Sequence, residues 1–598
     1  MGMQVASCWP RSSVYAWRFA NPAARRNGRT LEGIVGSLFG ALDIARSGLS
    51  AAQYQLNVTG NNIANVNTRG YTRQRALLEE RFPSLTPFGP LGRGVGIAGI
   101  ERIRDEFLDG AYSRQVQGLG STEVQAQYFN LLEDVFLEPS ENGFGTRLDR
   151  FFDALNDFSN NVESLPVREA LLSEGQAMAG SLNGLVDRFD QLRTNANEEV
   201  RNLVPEINSI ADRIAELNRQ IRLTEGAGSN ASQLRDQRTN LVDDLSRIIN
   251  VTVREDGSGQ TIVQIGSDIL VDASGARDII AFRNPSLDPE RNDLVELRFA
   301  DDNSLVDVSG GTVFGALHIR DTVIPELDAE IDSIAAALIQ GLNAIHSQGN
   351  GTQNISGTIS STNTVNSATD PLSATGLPFP VTAGSVDIVV YDSAGTPTTT
   401  SIAITAATTL DDLATALNGI PNMSASVSGG ILNISAGAGF SFSFANDSAG
   451  VLPALGINGF FTGHDARSIA VNEDLEDNPG WITSSFSSDV LNTGDNAAAL
   501  QMAALRTALL LDSGAATLSD FYQSTVAGLG VDARAVNDAL QVEQLFVQNL
   551  DERRQEVSGV NLDEEVTNLM LYQRAYEASA RLMSVTDNML ETLLSMAL

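Results

Sequence analysis

The chain has 598 residues, which corresponds to about four domains of ordinary size. It carries 39 basic and 74 acidic residues, a formal net charge of −35, and this negative excess argues against nucleic-acid or anionic-membrane binding. Lysine is absent, the three histidines (His318, His346 and His464) lie far apart, and Cys8 is the single cysteine. We therefore expect no catalytic residues, no cofactor and no metal site, because Schiff-base, zinc-cluster and common general-base chemistry lack their residues.

Residues 1–34 differ in composition from the rest of the chain. Residues 1–33 hold Cys8, two of the three tryptophans, five arginines and one acidic residue. An arginine-rich, acid-poor segment is typical of a transit peptide, and we expect no secretory signal peptide, because residues 1–34 do not combine basic residues, an apolar core and a cleavage site. We expect residues 1–34 to be a mis-assigned N-terminal extension, and a genuine export or chaperone-binding element is the alternative.

The first periodic segment is a helix with a heptad stripe. Alternating steps of four and three residues link apolar or small side chains, which predicts a coiled-coil seam. The stripe consists of Leu38, Leu42, Ala45, Leu49, Ala52, Leu56, Thr59, Ile63 and Val66. Gly70 follows as a helix stop. Residues 95–103 then alternate and predict a strand.

The middle of the chain changes period several times. Spacing of the 3.6-residue type predicts helices over residues 107–135, 146–161, 168–223 and 231–249. Alternation returns over residues 251–320, where residues 256–259 predict a hairpin turn. A further helix is predicted over residues 322–346.

Residues 350–465 contain no arginine or lysine and are rich in Ser, Thr, Gly and Ala. Alternating pieces at residues 385–391 and 424–435, with a short helix at 410–417, favour a compact β-rich domain over a disordered linker. Helix is predicted to resume at Asp495 and to continue to the end of the chain. We expect its main interruptions at residues 528–530 and 558–559.

The last helix carries two apolar stripes, although an exposed helix needs only one. The first includes Leu562, Val566, Leu569, Tyr576, Met583, Leu590 and Leu594. The second includes Leu571, Ala575, Ala578, Leu582, Val585, Met589, Thr592 and Met596. One stripe can pack on the first helix, and the other then requires another copy or a related subunit. An ordinary helix inside a large bundle is the alternative.

Two motifs at opposite ends of the chain resemble a known family. The first spans residues 61–71, and the residues of interest are Asn61, Asn62, Ala64, Asn65, Asn67, Thr68, Arg69, Gly70 and Tyr71. The second spans residues 560–570 and continues through residues 572–579. Together they resemble the paired signatures of the rod, hook and hook-associated proteins of the bacterial flagellum. Independently of the resemblance, Asn and Gly suit a sharp exit from the first helix into an extended arm.

Internal segments narrow the resemblance to the hook-associated members of that family. They lie at residues 142–155, 236–253 and 459–496, beginning with Asn142-Gly-Phe-Gly145, Asp236-Gln-Arg238 and Gly459-Phe-Phe-Thr-Gly463. The resemblance covers nearly all of residues 35–598 and is weakest between about 350 and 440. Residues 1–34 have no counterpart.

The resemblance implies a mainly α fold with inserted β-rich domains. The expected parts are a terminal coiled-coil layer (35–104 with 556–598), a helical core (105–250 with 321–349 and 466–555), a β-rich domain (251–320) and an outer β-rich domain (350–465). It also implies a structural subunit of the hook–filament junction, exported unfolded by the flagellar type III apparatus without a signal peptide.

The implied partners are copies of the chain in a ring, the hook protein, a neighbouring hook-associated protein on the filament side and an export chaperone with the export apparatus. Nucleic-acid binding and membrane insertion are not expected. The alternatives are a hook or distal-rod subunit, a surface adhesin or binding module, and a carboxylate hydrolase within residues 350–465.

Two segments could be interpreted as ligand sites, one for a dinucleotide and one for calcium, and the sequence does not favour either interpretation. Residues 94–99 fit the dinucleotide template G-x-G-x-x-G, but they follow three prolines and open into a strand, not a helix. The acidic pairs at residues 473–474 and 476–477 lack a calcium-loop template. We interpret them as solvated acidic surface.

Overall fold

The computed structural model describes residues 25–597 except residues 87–88, 137–139, 141–142, 228, 258, 290, 292 and 487–493. Cys8, most of the predicted extension and Asn142 lie outside the described residues. The α-helices of the described chain are α1 (Arg25–Ala64), α2 (Glu106–Phe136), α3 (Phe144–Asn160), α4 (Leu165–Gly226), α5 (Ser232–Ile248), α6 (Gly311–His318), α7 (Ile324–His346), α8 (Leu410–Asn418), α9 (Val451–Leu455), α10 (Glu473–Asp477), α11 (Ala497–Ala504), α12 (Leu518–Ser558) and α13 (Leu562–Ala597).

The strands are shorter and form small separate sheets. They are β1 (Gln74–Glu80), β2 (Ser84–Thr86), β3 (Gly89–Leu91), β4 (Val95–Arg102), β5 (Thr252–Glu255), β6 (Thr261–Ile265), β7 (Asp268–Val271), β8 (Ile279–Arg283), β9 (Val295–Phe299), β10 (Thr358–Ser360), β11 (Gly384–Tyr391), β12 (Pro397–Ile404), β13 (Met423–Ser428), β14 (Ile431–Ala436), β15 (Ser441–Ala445), β16 (Phe461–Thr462) and β17 (Ala470–Val471). The fold is therefore mainly α with β-rich insertions, as predicted.

The two ends of the chain form what we call the terminal layer: α1, α13 and an arm made of residues 74–102. In the arm β1 pairs antiparallel with β4, and β2 with β3 nearer the tip. The predicted strand at 95–103 is confirmed by β4, whereas its partner β1 was not predicted because its sequence, QRALLEE, shows no clear alternation. The first helix begins at Arg25, well before the predicted start at Leu38.

The helical core contains α2 to α7, α11 and α12. The four helices predicted between residues 107 and 249 are confirmed to within a few residues. The 62-residue helix α4 continues through Pro205. Aromatic rings join the long helices: the Phe136 and Phe189 ring centroids are 5.6 Å apart, and those of Phe144 and Tyr522 are 4.9 Å apart.

Two helix predictions near the C-terminus were wrong in detail. The predicted helix from Asp495 stops after α11 and a short 3-10 turn at Leu505–Thr507, because the backbone is extended at Ala508. Asp512, Ser513 and Gly514 then all have positive φ angles, which a right-handed helix does not allow. The predicted interruption at residues 528–530 is absent, since α12 runs unbroken from Leu518 to Ser558. Packing of α12 along α2 outweighs the low helix propensity of its two glycines. The predicted break at residues 558–559 is confirmed.

The β-rich insertions lie on the helical core. In the first, β5, β6 and β7 form an antiparallel sheet, and the predicted turn is closed by a hydrogen bond of 3.1 Å from Gly259 N to Asp256 O. In the second, two three-stranded sheets, β12-β11-β15 and β10-β14-β13, pack with α8. The predicted strand at 424–435 is in fact the hairpin of β13 and β14, because Gly429 and Gly430 adopt positive φ angles between them.

Two boundaries of the insertions differ from the expected ones. The last residues of the 251–320 segment are helical, since α6 begins at Gly311. Near the end of the 350–465 segment, Phe460 and Phe461 pack in the helical core, with ring centroids 5.8 and 5.6 Å from that of Phe151. Within the described part of the chain, no helix combines the length and apolarity needed to cross a membrane.

Candidate functional site

The helices at the two ends of the chain pack against each other in antiparallel orientation. Leu38 lies beside Met589, and Thr59 lies beside Asn568 at the other end of the pair. Between these points Gly48 faces Ser579, whose Oγ would be 2.9 Å from a Cβ added to the glycine. The helices therefore approach closely where α1 carries small residues.

The predicted stripe of α1 lies along this contact. Its larger members are half-buried, namely Leu38, Leu42, Leu49, Leu56 and Ile63. Its smaller members Ala45, Ala52 and Thr59 are buried. The stripe of α1 is thus the side that meets α13, and it is only partly covered by that one helix.

Only part of the first predicted stripe of α13 lies in the contact with α1. Leu569, Met583 and Leu590 are half-buried, whereas Leu562, Val566, Tyr576 and Leu594 are exposed. The buried side of α13 instead includes two polar residues, Glu565 and Thr586, whose exposed fractions are 2% and 3%. Apolarity could not mark these positions, because the residues that face α1 there are polar.

A second apolar face of α13 stays largely exposed in the described chain, with only Val585 and Met589 near Leu38 of α1. Leu571, Leu582, Val585, Met589 and Met596 are exposed to between 43% and 78%. Their spacing is that of the second predicted stripe. An apolar face of this length on a helix in water marks a surface for another protein chain.

The motif at residues 61–71 forms a polar junction, in which Asn62 is buried and satisfies all its hydrogen-bonding groups. Its Nδ2 donates to the Gln74 carbonyl at 2.9 Å and to Glu565 Oε2 at 3.2 Å. Its Oδ1 accepts from the Tyr71 hydroxyl at 2.8 Å and from Gln74 N at 3.0 Å. One side chain thereby joins α1, the following turn, β1 and α13.

Arg73 strengthens the same junction from the arm. Its Nε donates to Glu565 Oε1 at 2.7 Å and its Nη1 to Glu564 Oε2 at 2.6 Å. Its backbone N donates to the carbonyl of Ser558 at 2.7 Å. We call the set Asn62, Arg73 and Glu565 the polar clasp, since these residues hold the two ends of the chain together.

The rest of the motif shapes the turn between α1 and the arm. Asn65 Nδ2 donates to the carbonyl and side chain of Asn61, and Asn65 Oδ1 accepts from the Thr68 hydroxyl. Gly70 has a φ of +70°, and a Cβ there would collide with the side-chain amide of Asn240. Only glycine fits this turn without strain.

The other motif residues differ in exposure. Arg69 forms an exposed ion pair with Asp244, and Ala64 and Asn67 are exposed. Burial, with the negative charges of Asp236 and Glu565, raises the pKa of Tyr71 to about 12, so that its hydroxyl stays protonated and donates.

No catalytic arrangement is visible in the part of the chain that the structure describes. His346 is fully buried, with Nδ1 2.9 Å from the Asn458 carbonyl and Nε2 accepting from Thr483 N at 3.1 Å. No group of three potential metal-binding side chains occurs in the described ranges. Gly94 of the dinucleotide-like segment packs against Ser47 of α1, where a Cβ would collide.

Comparison with known proteins gives matches over both ends and the middle of the chain. Residues 129–359 match the family described as flagellar hook-associated protein FlgK helical domain. Residues 42–72 match the flagella basal body rod protein family, and residues 552–596 match the flagellar basal body rod FlgEFG protein C-terminal family. The two end matches contain Asn62 and Glu565 of the polar clasp and nearly all of α13.

Similarity to individual proteins extends over nearly the whole chain. Flagellar hook-associated protein 1 of Bacillus subtilis is 28% identical over 94% of this chain and 98% of its own length, and that of Escherichia coli is 27% identical over 92% and 98%. The Escherichia coli flagellar hook protein FlgE is 36% identical over 16% of this chain and 21% of its own length. The solved flagellar hook junction protein FlgK from Burkholderia pseudomallei is 15% identical, with a TM-score of 0.47 over 76% of this chain and all of its own.

Proposed function

The chain belongs to the family of bacterial flagellar rod, hook and hook-associated proteins, and on that premise we propose that it is the structural subunit that joins the flagellar hook to the filament. The observation that carries this proposal is the similarity to hook-associated protein 1 of two bacteria over at least 92% of the chain. The subunit has no enzymatic role in this proposal, and it lies outside the cell on the flagellum.

The extent of similarity separates this role from those of a hook or rod subunit. The match to the hook protein of Escherichia coli covers 93 residues, and the matches to rod protein families are confined to the two ends. Of the three matching families, the one that covers the helical core is the hook-associated family, over residues 129–359. The terminal layer is thus similar to that of rod and hook proteins, whereas the core is not. This combination supports a subunit that contacts such proteins in the flagellum but occupies a different position from theirs.

Assembly proceeds through the terminal layer in this proposal. The polar clasp and the contact of α1 with α13 use one side of each helix, while the second apolar face of α13 stays exposed. Burying that face against neighbouring copies stabilises a ring at about 25 cal/mol per Å² of apolar surface. The predicted stripes of both helices, from Leu38 to Ile63 and from Leu562 to Leu594, then lie between subunits or between the two helices.

Export and the other partners follow from the position proposed. The chain reaches the end of the hook through the flagellar type III apparatus, without a signal peptide and with a flagellar export chaperone. It then contacts the hook protein on one side and a second hook-associated protein on the filament side. A surface adhesin is the competing function, since we expect the outer β-rich insertion to face solvent.

Electron microscopy of a strain lacking the gene tests the proposal. We expect hooks of normal length without filaments, with filament protein released into the medium, and loss of swimming. Immunogold labelling of the complemented strain should give one band between hook and filament. Missing hooks would assign a hook or rod role, and labelling spread over the cell surface would assign an adhesin.

A further inference from the structure

Two short segments connect the terminal layer to the helical core. Residues 103–105 lead from β4 into α2, and residues 559–561 lead from α12 into α13. Both segments meet at Arg73, whose N donates to Ser558 O at 2.7 Å and whose carbonyl accepts from Ile103 N at 2.8 Å. Two adjacent crossings define a hinge axis, so the layer can turn about it unless other contacts prevent the motion.

The contacts that oppose such a motion are made mainly with α5, and most of them are exposed. The ion pair between Arg69 and Asp244 has side chains exposed to 80% and 42%. The bond from Asn240 Nδ2 to the Arg69 carbonyl is also exposed, at 3.4 Å. Exposed pairs of this kind contribute little, because water and salt screen them.

Asp236 is the buried contact between α5 and the terminal layer. Its Oδ1 accepts from the Thr72 hydroxyl at 2.6 Å and from Arg102 Nη1 at 2.7 Å, and its Oδ2 accepts from Thr72 N at 3.2 Å. The side chains of Asp236 and Arg102 are each exposed to only 7%. One carboxylate therefore holds both edges of the arm, at the start of β1 and at the end of β4.

Apolar packing beside Asp236 is incomplete. A cavity of about 300 Å³ separates Gln74 and Ile100 of the arm from Thr224 and residues 230–234. Gln74 Nε2 is buried and has no hydrogen-bond partner among the described residues. The attachment at this point thus depends on the charge of Asp236, since a void contributes no dispersion contact.

The opposite side of α5 is anchored by a residue of the same short motif. Arg238 donates to Asn218 Oδ1 at 2.8 Å on α4 and to Glu255 Oε2 at 2.9 Å on β5. From these contacts we propose that Asp236 is a positioning residue, the latch that fixes the angle between the terminal layer and the helical core. Its importance in a flagellum rests on the proposed function, because that angle sets how the core projects from a ring built by the terminal layer.

Spin-label distance measurements on the purified full-length chain test the latch. Labels are placed with Glu80→Cys on the arm and Glu206→Cys on α4, both exposed positions, in a Cys8→Ser background. Asp236→Asn keeps the shape of the side chain but removes the charge that faces Arg102. We expect the width of the distance distribution to increase about twofold, because the layer then samples several angles about the hinge.

Asp244→Asn, two turns further along α5, is the matched control and should leave the distribution unchanged. Thr72→Val keeps both charges and removes one donor, so it should broaden the distribution less than Asp236→Asn. If Asp236→Asn fails to fold by circular dichroism, a Thr72→Val distribution equal to the parent overturns the latch. Equal distributions for Asp236→Asn and the parent, or equal broadening by Asp244→Asn, overturn it as well. Because purified protein is measured, these outcomes leave the hook–filament proposal to its own test.

Discussion

Replacing Asn62 by alanine separates the contribution of the polar clasp from that of the apolar contact between α1 and α13. The substitution removes four hydrogen bonds, and it leaves the N–H and C=O of Gln74 without their Asn62 partners in a site where Asn62 itself is 1% exposed. A buried polar group without a partner costs about 1–3 kcal/mol. Counting the two backbone groups of Gln74, we expect the free energy of opening the clasp to fall by about 2–6 kcal/mol.

Asn62→Asp adds a charge to the same site without changing its size. The new carboxylate oxygen takes the place of Nδ2, 3.2 Å from Glu565 Oε2 and 2.9 Å from the Gln74 carbonyl. Two like charges at this distance raise the pKa of the introduced carboxyl above its unfolded value. The destabilisation by Asn62→Asp is therefore largest above that raised pKa and becomes smaller as the pH falls through it. The loss in free energy of unfolding relative to the parent should be smaller at about pH 5 than at about pH 8.

Hydrogen exchange read by mass spectrometry measures the opening of the clasp in residues 74–80 and 562–572, and urea unfolding at the two pH values compares the variants. Asn65→Ala is the matched control, because its side chain bonds within the same motif to Asn61, nearer to solvent. Its effect should stay below about 1 kcal/mol. Exchange in Asn62→Ala equal to that of the parent, or equal effects at the two asparagines, would refute the role of the clasp.

Three further predictions concern other parts of the chain. Leu590→Asp should leave the melting temperature of the helical core unchanged but abolish incorporation into flagella, since a charge in the contact between α1 and α13 costs several kcal/mol; normal filaments in that strain would contradict it. Burial lowers the pKa of the His346 imidazole to about 4. The neutral imidazole therefore stabilises the fold above the pKa of the unfolded chain, and this stabilisation is lost as the pH falls towards 4. The parent should then lose about 3 kcal/mol more than His346→Gln between pH 7 and pH 4 in urea unfolding, whereas parallel losses would contradict this. Deleting residues 356–447 should allow secretion of a chain with a folded core, whereas deleting residues 350–465 should not, because it removes Phe460 and Phe461; secretion and limited proteolysis distinguish the two.

The long helices were predictable because their packing repeats along the chain. From residue 107 to residue 249 the apolar spacing placed four helices to within a few residues of α2, α3, α4 and α5. The same signal failed at residues 505–517, where a turn with three consecutive positive φ angles interrupts an otherwise apolar stretch. It also failed for β1, whose sequence resembles that of an exposed helix as much as that of a strand. Local propensity decides such segments only when tertiary packing does not.

The residues of the candidate site could be identified from the sequence motif, but their hydrogen-bond partners could not. Asn and Gly in residues 61–71 indicated a sharp exit from α1, and Gly70 does adopt a positive φ angle. The partners of that motif and of the adjoining Thr72 come from distant parts of the chain, namely Asp236 and Asn240 on α5 and Glu565 on α13. Periodicity within one helix carries no information about a hydrogen bond that spans five hundred residues of sequence.

The polar character of the contact also explains why neither apolar stripe of α13 marks the side that packs on α1. Glu565 and Thr586 lie in the buried row, and the apolar residues Leu562, Val566 and Leu594 lie outside it. Apolar spacing therefore identifies the faces of α13 that stay exposed in a single chain. In a subunit whose end helices must pack against other copies, we expect apolar residues on those exposed faces. The contact between α1 and α13 depends more on the alignment of the two helices than on the apolar area that it buries. Buried polar pairs provide such register, as a single asparagine does in coiled coils, and Asn62 and Glu565 form a buried polar pair of this kind between α1 and α13.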